Sequence, residues 1–156
     1  MAEGTGRKAD RVANDLLRSI VRGDVEVGSL LPKEAELAER YGVETLAACI
    51  RRTLDRAEER TREQVATIPP GEYYYEDYLE TFEEGRFVPV RCCVRLEVKD
   101  RSVTADFTGT SPQVGHPINC SYAVTASAVF IPLKTILDPD YPVNHGSFRP
   151  IQVIAP

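Results

Sequence analysis

The chain has 156 residues, of which 42% are hydrophobic and 28% charged, with a net charge of −5. That size admits one ordinary domain or two very small ones with a real core, and the composition excludes a chain disordered throughout. The acidic balance argues against a broad nucleic-acid surface. Residues 1–43 carry 7 basic and 8 acidic side chains and residues 44–156 carry 12 and 16, so neither part is a basic module.

Residues 1–8 are polar and Gly-rich and read as a disordered leader. Residues 9–22 follow as a helix, with Val12, Leu16, Leu17, Ile20 and Val21 on one stripe, Asp10 as N-cap and Gly23 as stop. A second helix starts at Lys33, after Pro32, and runs to Tyr41, where Gly42 breaks it. Residues 44–66 form a third and longer helix. Its stripe is Leu46, Cys49, Ile50, Thr53, Leu54, Ala57 and Thr61. Its charged face, with Arg51, Arg52, Arg56, Glu59, Arg60 and Glu63, reads as solvated. Pro69-Pro70-Gly71 closes the helical part.

Strands come next. Glu72–Glu80 is tyrosine-rich, and Tyr73, Tyr74, Tyr75 and Tyr78 read as half-buried. Glu83-Glu84-Gly85 is a turn. Residues 87–98 alternate, with Val90, Cys92, Val94, Leu96 and Val98 on one face and Arg91, Arg95 and Glu97 on the other. Lys99-Asp100-Arg101 turns the chain into a return strand, Ser102–Thr108, to make a hairpin. After a loop over 109–118, Asn119 is placed to cap a helix from Cys120 to about Leu137, which Pro132 should end or kink. A turn-rich segment and a short apolar stretch, Ile151–Ile154, follow. This order predicts an α+β fold: N-terminal helices, an antiparallel hairpin or sheet, and a packed helix.

No apolar run approaches the roughly 20 residues of a membrane span, and Met1–Gly6 lacks the apolar centre of a signal peptide. The sequence therefore predicts a cytoplasmic protein with no membrane partner. Cys49, Cys92, Cys93 and Cys120 show no C-x-x-C spacing and read as buried, reduced thiols rather than zinc ligands or disulfides.

Five stretches carry a family resemblance: D-F-T-G-T-S-P-Q-V (106–114), P-I-N-C (117–120), A-V-T-A-S-A-V (123–129), L-D-P-D-Y-P-V-N (137–144) and G-S-F-R-P-I (146–151). In this order, and preceded by E-R-Y-G-V-E-T-L, E-R-T-R and P-x-G-E-Y-x-x-E-D-Y-L, they resemble the hydantoinase B/oxoprolinase family over roughly residues 36–156. The resemblance implies an internal slice of a larger α/β-type catalytic subunit. Such subunits act with an ATP-using hydantoinase A-type partner to open hydantoins, 5-oxoproline or related cyclic amides, or to carboxylate ketones. ATP and a divalent metal are implied for the intact complex. The family's metal-binding His/Asp cluster is expected upstream of the matching part, so this chain alone is expected to be inactive and to hold no cofactor or metal. Gly115-His116 stands where the family more usually has Arg-Gly.

Residues 9–43 are similar to the start of a GntR-type winged helix-turn-helix, through G-D-V-E-V-G-S-L-L-P and A-E-L-A-E-R-Y-G-V. The chain thus divides into a leader (1–8), a partial GntR-like segment (9–43) and a hydantoinase B/oxoprolinase-like segment (44–156). That similarity makes a DNA-binding regulator the alternative function, with Lys33 and Arg40 as candidate DNA contacts. Against it, Glu44 opens the third helix where a DNA reader needs arginine, Ala35 replaces a frequent contacting arginine, and no two-stranded wing follows.

The candidate substrate-region residues are Asn119, Asn144 and Arg149. Asn119 caps a helix or faces a substrate groove. Arg149 binds a carboxylate through its planar fork, or pairs with Asp138 or Asp140. His116 and His145, with Asp138, Asp140 and Cys120 as conceivable co-ligands, lack metal-site spacing and read as loop histidines. Thr108, Thr110 and Ser111 sit in a Gly/Pro turn without a G-x-S-x-G elbow and read as turn hydroxyls bonded to backbone. Asp77 and Asp106 read as turn or ion-pair carboxylates rather than acid/base groups.

Overall fold

The structure, a computed structural model, describes residues 3–25 and 28–156. The chain forms two compact units, Met1–Arg56 and Ala57–Pro156. The expected boundary between 43 and 44 falls at the start of a helix.

The first unit holds α1 (Glu3–Val21), α2 (Glu34–Tyr41) and the first part of α3 (Val43–Val65). α1 begins at Glu3, so helix reaches into the stretch expected as a leader, and Asp10 lies inside the helix rather than at its cap. Residues 1 and 2 of that leader lie outside the described residues. Arg7, Lys8 and Ala9 are good helix formers, and each residue added to an existing helix gains a hydrogen bond. The C-terminus follows expectation. Gly23 takes φ 78°, its N–H donates to the Ile20 carbonyl and the Asp24 N–H to the Ser19 carbonyl, the paired bonds of a Schellman ending. The stripe is only partly covered: Val12 is buried, but Ile20 and Val21 are exposed. α2 is followed by Gly42 at φ 85°, the only residue between α2 and α3.

The second unit is a four-stranded sheet with helices on it. Its strands are β1 (Gly71–Glu83), β2 (Arg86–Lys99), β3 (Ser102–Asp106) and β4 (Ile151–Ile154), in the spatial order β1-β2-β3-β4. β1–β2 and β2–β3 are antiparallel, as expected for hairpins. β4 instead lies parallel to β3, so the sheet is mixed rather than wholly antiparallel. A parallel pair needs a long crossover, and α4 (Tyr122–Leu137) supplies it. Pro132 sits inside α4 without ending it.

Both hairpin turns are two-residue loops with two positive φ angles: Glu84 and Gly85 at 49° and 81°, Asp100 and Arg101 at 50° and 60°. This backbone twist matches that of the strands it joins.

The core lies on one sheet face. Ala105, Ile151 and Val153 of the sheet meet Ala126 and Val129 of α4, with Val94, Leu96, Phe107, Phe130 and Phe148 packed around them. Val98 and Val103 pack with Val65 at the end of α3, and Leu133 and Leu137 of α4 join them. Val65, Val103 and Ala105 are at most 1% exposed. Burying a Val side chain contributes about 1.5–3 kcal/mol, which sets the registry of α3 and α4 on the sheet.

These clusters include no β1 residue. Tyr73, Tyr74, Tyr75 and Tyr78 are therefore exposed, by 43–66%, and not half-buried as expected: β1 is an edge strand beyond the helical cover. Cys92, expected on the apolar face, is exposed for the same reason, whereas Cys93 is buried on the opposite face. Of the four thiols expected to be buried, Cys93 is buried, Cys49 is half-buried, and Cys92 and Cys120 are exposed.

Among the described residues, no helix is long and apolar enough to cross a membrane.

Candidate functional site

The loop that follows β3 runs alongside β2. β3 stops at Asp106, yet β2 continues past it and needs partners for its outer backbone groups. The Ser111 N–H donates to the Arg91 carbonyl over 2.9 Å, and the Ser111 Oγ accepts from the Arg91 N–H over 3.0 Å. The Thr110 Oγ1 accepts from the Cys93 N–H and donates to the Cys93 carbonyl, both over 3.2 Å. Two hydroxyls thus stand in for a missing strand. This agrees with the reading of Thr110 and Ser111 as backbone-bonding turn residues.

Gly109 makes the loop possible. Its φ is +99°, and a Cβ there would lie 3.4 Å from the Cys93 sulfur. Cys93 is 3% exposed beneath it, with Sγ 3.6 Å from the Thr108 carbonyl. Asp106 anchors the loop's other end by accepting from the Thr108 N–H and pairing with Arg95, each over 2.9 Å. The Thr108 hydrogen bonds first, then the Arg95 guanidinium, hold the Asp106 carboxyl below its usual value. Beside the loop, the Arg91 guanidinium reaches Glu76 over 2.8 Å and the Tyr74 hydroxyl over 2.5 Å.

The three substrate-region candidates are not brought together in one cleft. Asn119 does not cap α4, which starts after Ser121. Its carboxamide clasps its own loop instead: Oδ1 accepts from the Val114 N–H over 3.1 Å, and Nδ2 donates to the carbonyls of Val114 and His116. Asn144 caps a 3-10 turn, His145–Phe148, by accepting from the Gly146 N–H over 2.8 Å. Arg149 pairs with Glu58 of α3 over 3.2 Å. The His116 carbonyl and the first residue of the 3-10 turn, His145, serve these same loop structures.

The charged face of α3, Arg51, Arg52, Arg56, Glu59, Arg60 and Glu63, is exposed as expected, and the stretch from Glu58 to Arg62 also anchors neighbouring segments. Glu58 accepts from Arg62 over 2.8 Å as well as from Arg149. Arg62 also donates to the Ser102 hydroxyl over 2.8 Å, and Arg101 pairs with Glu59 over 2.7 Å. Arg62 first and Arg149 second keep the Glu58 carboxyl below its usual value. Further along, Arg60 grips Asp138, which also receives Lys134. The Arg60 guanidinium lies 4.6 Å from the ring centre of Tyr141. Charge alone did not reveal these pairs; the local signals were the i, i+4 spacings of Glu58 and Arg62 and of Lys134 and Asp138.

A shallow depression lies beside this strip, lined by Thr61, Gln64, Lys134, Asp138, Ser147 and Phe148 among others. Its empty volume is about 270 Å³, open solvent included, below the range of about 300–1,000 Å³ for small-molecule sites. Among the described residues, no group of three or more His, Cys, Asp or Glu is arranged to hold a metal ion. The arrangement positions loops and holds them by hydroxyl bonds and charge.

In the first unit, Lys33 is the residue before α2 and Arg40 lies in its last turn, 5.5 Å from the Tyr41 ring centre. Glu34, Glu36 and Glu39 share this short helix. The single-residue junction at Gly42 is shorter than the roughly 3–4-residue turn of a helix-turn-helix. Neither feature makes a phosphate-binding surface.

Residues 27–156 match the hydantoinase B/oxoprolinase family, so the match takes in residues 27–43 of the 9–43 stretch that resembled a DNA-binding segment. The chain is 32% identical over 131 residues to the B-type subunit of a putative D-/L-hydantoinase from a Pseudomonas species, covering 78% of this chain and 22% of that one. It is 29% identical over 135 residues to 5-oxoprolinase 1 of Arabidopsis thaliana, covering 78% and 10%. Among solved structures, it is similar to the ATP-dependent caprolactamase of Pseudomonas jessenii, with a TM-score of 0.69 and 26% identity over 78% of this chain and 21% of that one. The chain spans about a fifth of the length of the hydantoinase relative and a tenth of the 5-oxoprolinase. The family match over residues 27–156 and the shared fold agree, and this chain belongs to the hydantoinase B/oxoprolinase family.

Proposed function

We propose that this chain works as a segment of a hydantoinase B-type subunit that, with a hydantoinase A-type partner, opens a cyclic amide at the expense of ATP. The likeness to an ATP-dependent caprolactamase carries this reading; the hydantoinase and 5-oxoprolinase relatives extend the substrate class to hydantoins and 5-oxoproline. The free thiols of Cys49, Cys92, Cys93 and Cys120 accord with a cytoplasmic setting.

Within that assembly the chain acts as scaffold. Family membership implies ATP and a divalent metal for the intact assembly; among the described residues, no group of three or more His, Cys, Asp or Glu is arranged to hold a metal ion. The contribution of these residues is to hold the loops at 107–119 and 138–149 in fixed positions, since catalytic geometry tolerates little misplacement.

A segment exchange tests the reading. Residues 27–156 of this chain replace the matching part of the Pseudomonas B-type hydantoinase subunit, and the chimera is assayed with its A-type partner for hydantoin-dependent ATP hydrolysis. Retained turnover supports the proposal; a folded, assembled but inactive chimera overturns it. Purified chain alone is expected to open no hydantoin, 5-oxoproline or caprolactam above a boiled control, and turnover by the chain alone would refute the scaffold role.

A further inference from the structure

β1 ends the sheet, and its outer edge has a definite hydrogen-bonding parity. Arg91 and Cys93 direct their N–H and C=O groups at Ser111 and Thr110, on the side of β2 away from β1. In an antiparallel pair, bonds are exchanged at every second residue. Tyr78 and Glu76, which face Arg91 and Cys93, therefore point their own backbone groups outward, as do Glu72, Tyr74 and Glu80. Pro89, opposite Glu80, fits this parity, since its missing N–H falls on the side that needs no donor towards β1.

The side chains of Glu72, Tyr74, Glu76, Tyr78 and Glu80 share one face of the strand, and Tyr73, Tyr75 and Leu79 share the other. All are exposed. A long aromatic edge of this kind is a ready template for another strand. Charge selects among occupants. Gly71–Glu83 contains no Lys or Arg, so a second copy laid antiparallel on the same edge sets acid against acid, which is destabilising. Glu76 is already held by Arg91 over 2.8 Å, leaving Glu72 and Glu80 as the acidic contacts at either end. The Tyr78 N–H donates to its neighbour Asp77 over 2.8 Å, and a docking strand exchanges that local bond for one of its own.

We propose that the outer edge of β1 takes up an extended polypeptide strand in which basic and apolar residues alternate. Its basic side chains lie beside Glu72 and Glu80 and its apolar ones beside Tyr73, Tyr75 and Leu79. Backbone pairing supplies affinity and the alternating faces supply selectivity.

The test uses the full chain and dye-labelled peptides, read by fluorescence anisotropy. An alternating Lys-Val peptide is expected to bind. An alternating Glu-Val peptide, and one with Lys and Val in separate blocks, are not. Glu80→Pro removes an outward N–H and a carboxylate while sparing the β2 ladder, and it should weaken binding about tenfold. Circular dichroism checks its fold, and Glu80→Lys, which leaves the backbone intact, should also weaken binding. Equal binding of the blocked peptide, no binding of the alternating one, or affinity unchanged in Glu80→Lys overturns the proposal. Dimerisation that Glu80→Pro abolishes, seen by sedimentation, assigns the edge to a second copy and overturns it too.

Discussion

Arg60 and Asp138, 78 residues apart, meet in a two-pronged ion pair, with Nε to Oδ2 at 2.6 Å and Nη2 to Oδ1 at 2.9 Å. The pair ties the end of α3 to the turn that leaves α4. Asp138 is the more enclosed partner, its side chain 14% exposed against 43% for Arg60. The planar fork of arginine matches both carboxylate oxygens at once.

That geometry makes the second unit's stability depend on pH. The Arg60 hydrogen bonds first, with Lys134 nearby, hold the Asp138 carboxyl below its usual value. A lowered folded value means that the stabilisation is complete above the ordinary carboxylate value and is lost as pH falls through the lowered one. Asp138→Asn should therefore unfold at lower urea than the parent at pH 7, and the gap should narrow in acid. Urea midpoints for both chains across pH 7 to 3 check this; a gap that stays constant with pH sinks it.

Gly109 should resist substitution. Its φ of +99° is strained for any side chain, and the added methyl meets the Cys93 sulfur at 3.4 Å. Gly109→Ala is expected to cost about 1–3 kcal/mol in urea unfolding. It should also speed labelling of Cys93, because the loop that covers the thiol lifts. Gly115→Ala, with nothing within 4 Å of the added carbon and no positive φ, is the control that should change little.

The second hairpin turn can be improved. Asp100 and Arg101 both hold positive φ, which non-glycine residues adopt at a cost of about 1–2 kcal/mol. Arg101→Gly relieves one of them and loses an exposed pair with Glu59, of the kind that contributes little. A rise in the urea midpoint is the expected outcome, and a fall would show that the Arg101–Glu59 pair matters more than the turn.

Thiol labelling reads the two sheet faces directly. Cys92 and Cys120 are exposed and Cys93 is buried. In the native chain Cys92 and Cys120 should react rapidly with a disulfide reagent, whereas Cys93 should wait for unfolding. The single variants Cys92→Ser and Cys120→Ser should each remove part of the fast phase, and Cys93→Ser only the slow one.

The sequence was most legible where structure depends on near neighbours. The strand over residues 87–98, the Gly23 ending of α1 and the Pro69-Pro70-Gly71 break are written in backbone preferences and short-range periodicity, and all three appear in the structure, although the alternation breaks at Cys92 and Cys93. Asn119 shows where this reading stopped. An Asn before a helix suits a cap, but the loop at 114–116 offered it three bonds and took the carboxamide instead. Tyr73, Tyr74, Tyr75 and Tyr78 show the same limit on a larger scale, because a strand's pattern does not say whether a helix will lie over it.

By itself, then, the sequence determined the order of the elements, the hairpin across Lys99-Asp100-Arg101 and, through its five ordered motifs, the family. Only the tertiary structure decided that β4 runs parallel to β3, that Cys93 rather than Cys92 is buried, and that Glu58 and Asp138 are the carboxylates that Arg149 and Arg60 find. The physical reason is range. Helix and strand propensities act over a few residues, whereas the partner of an edge backbone group or a charge is set by which distant segments the core brings within about 3 Å of it.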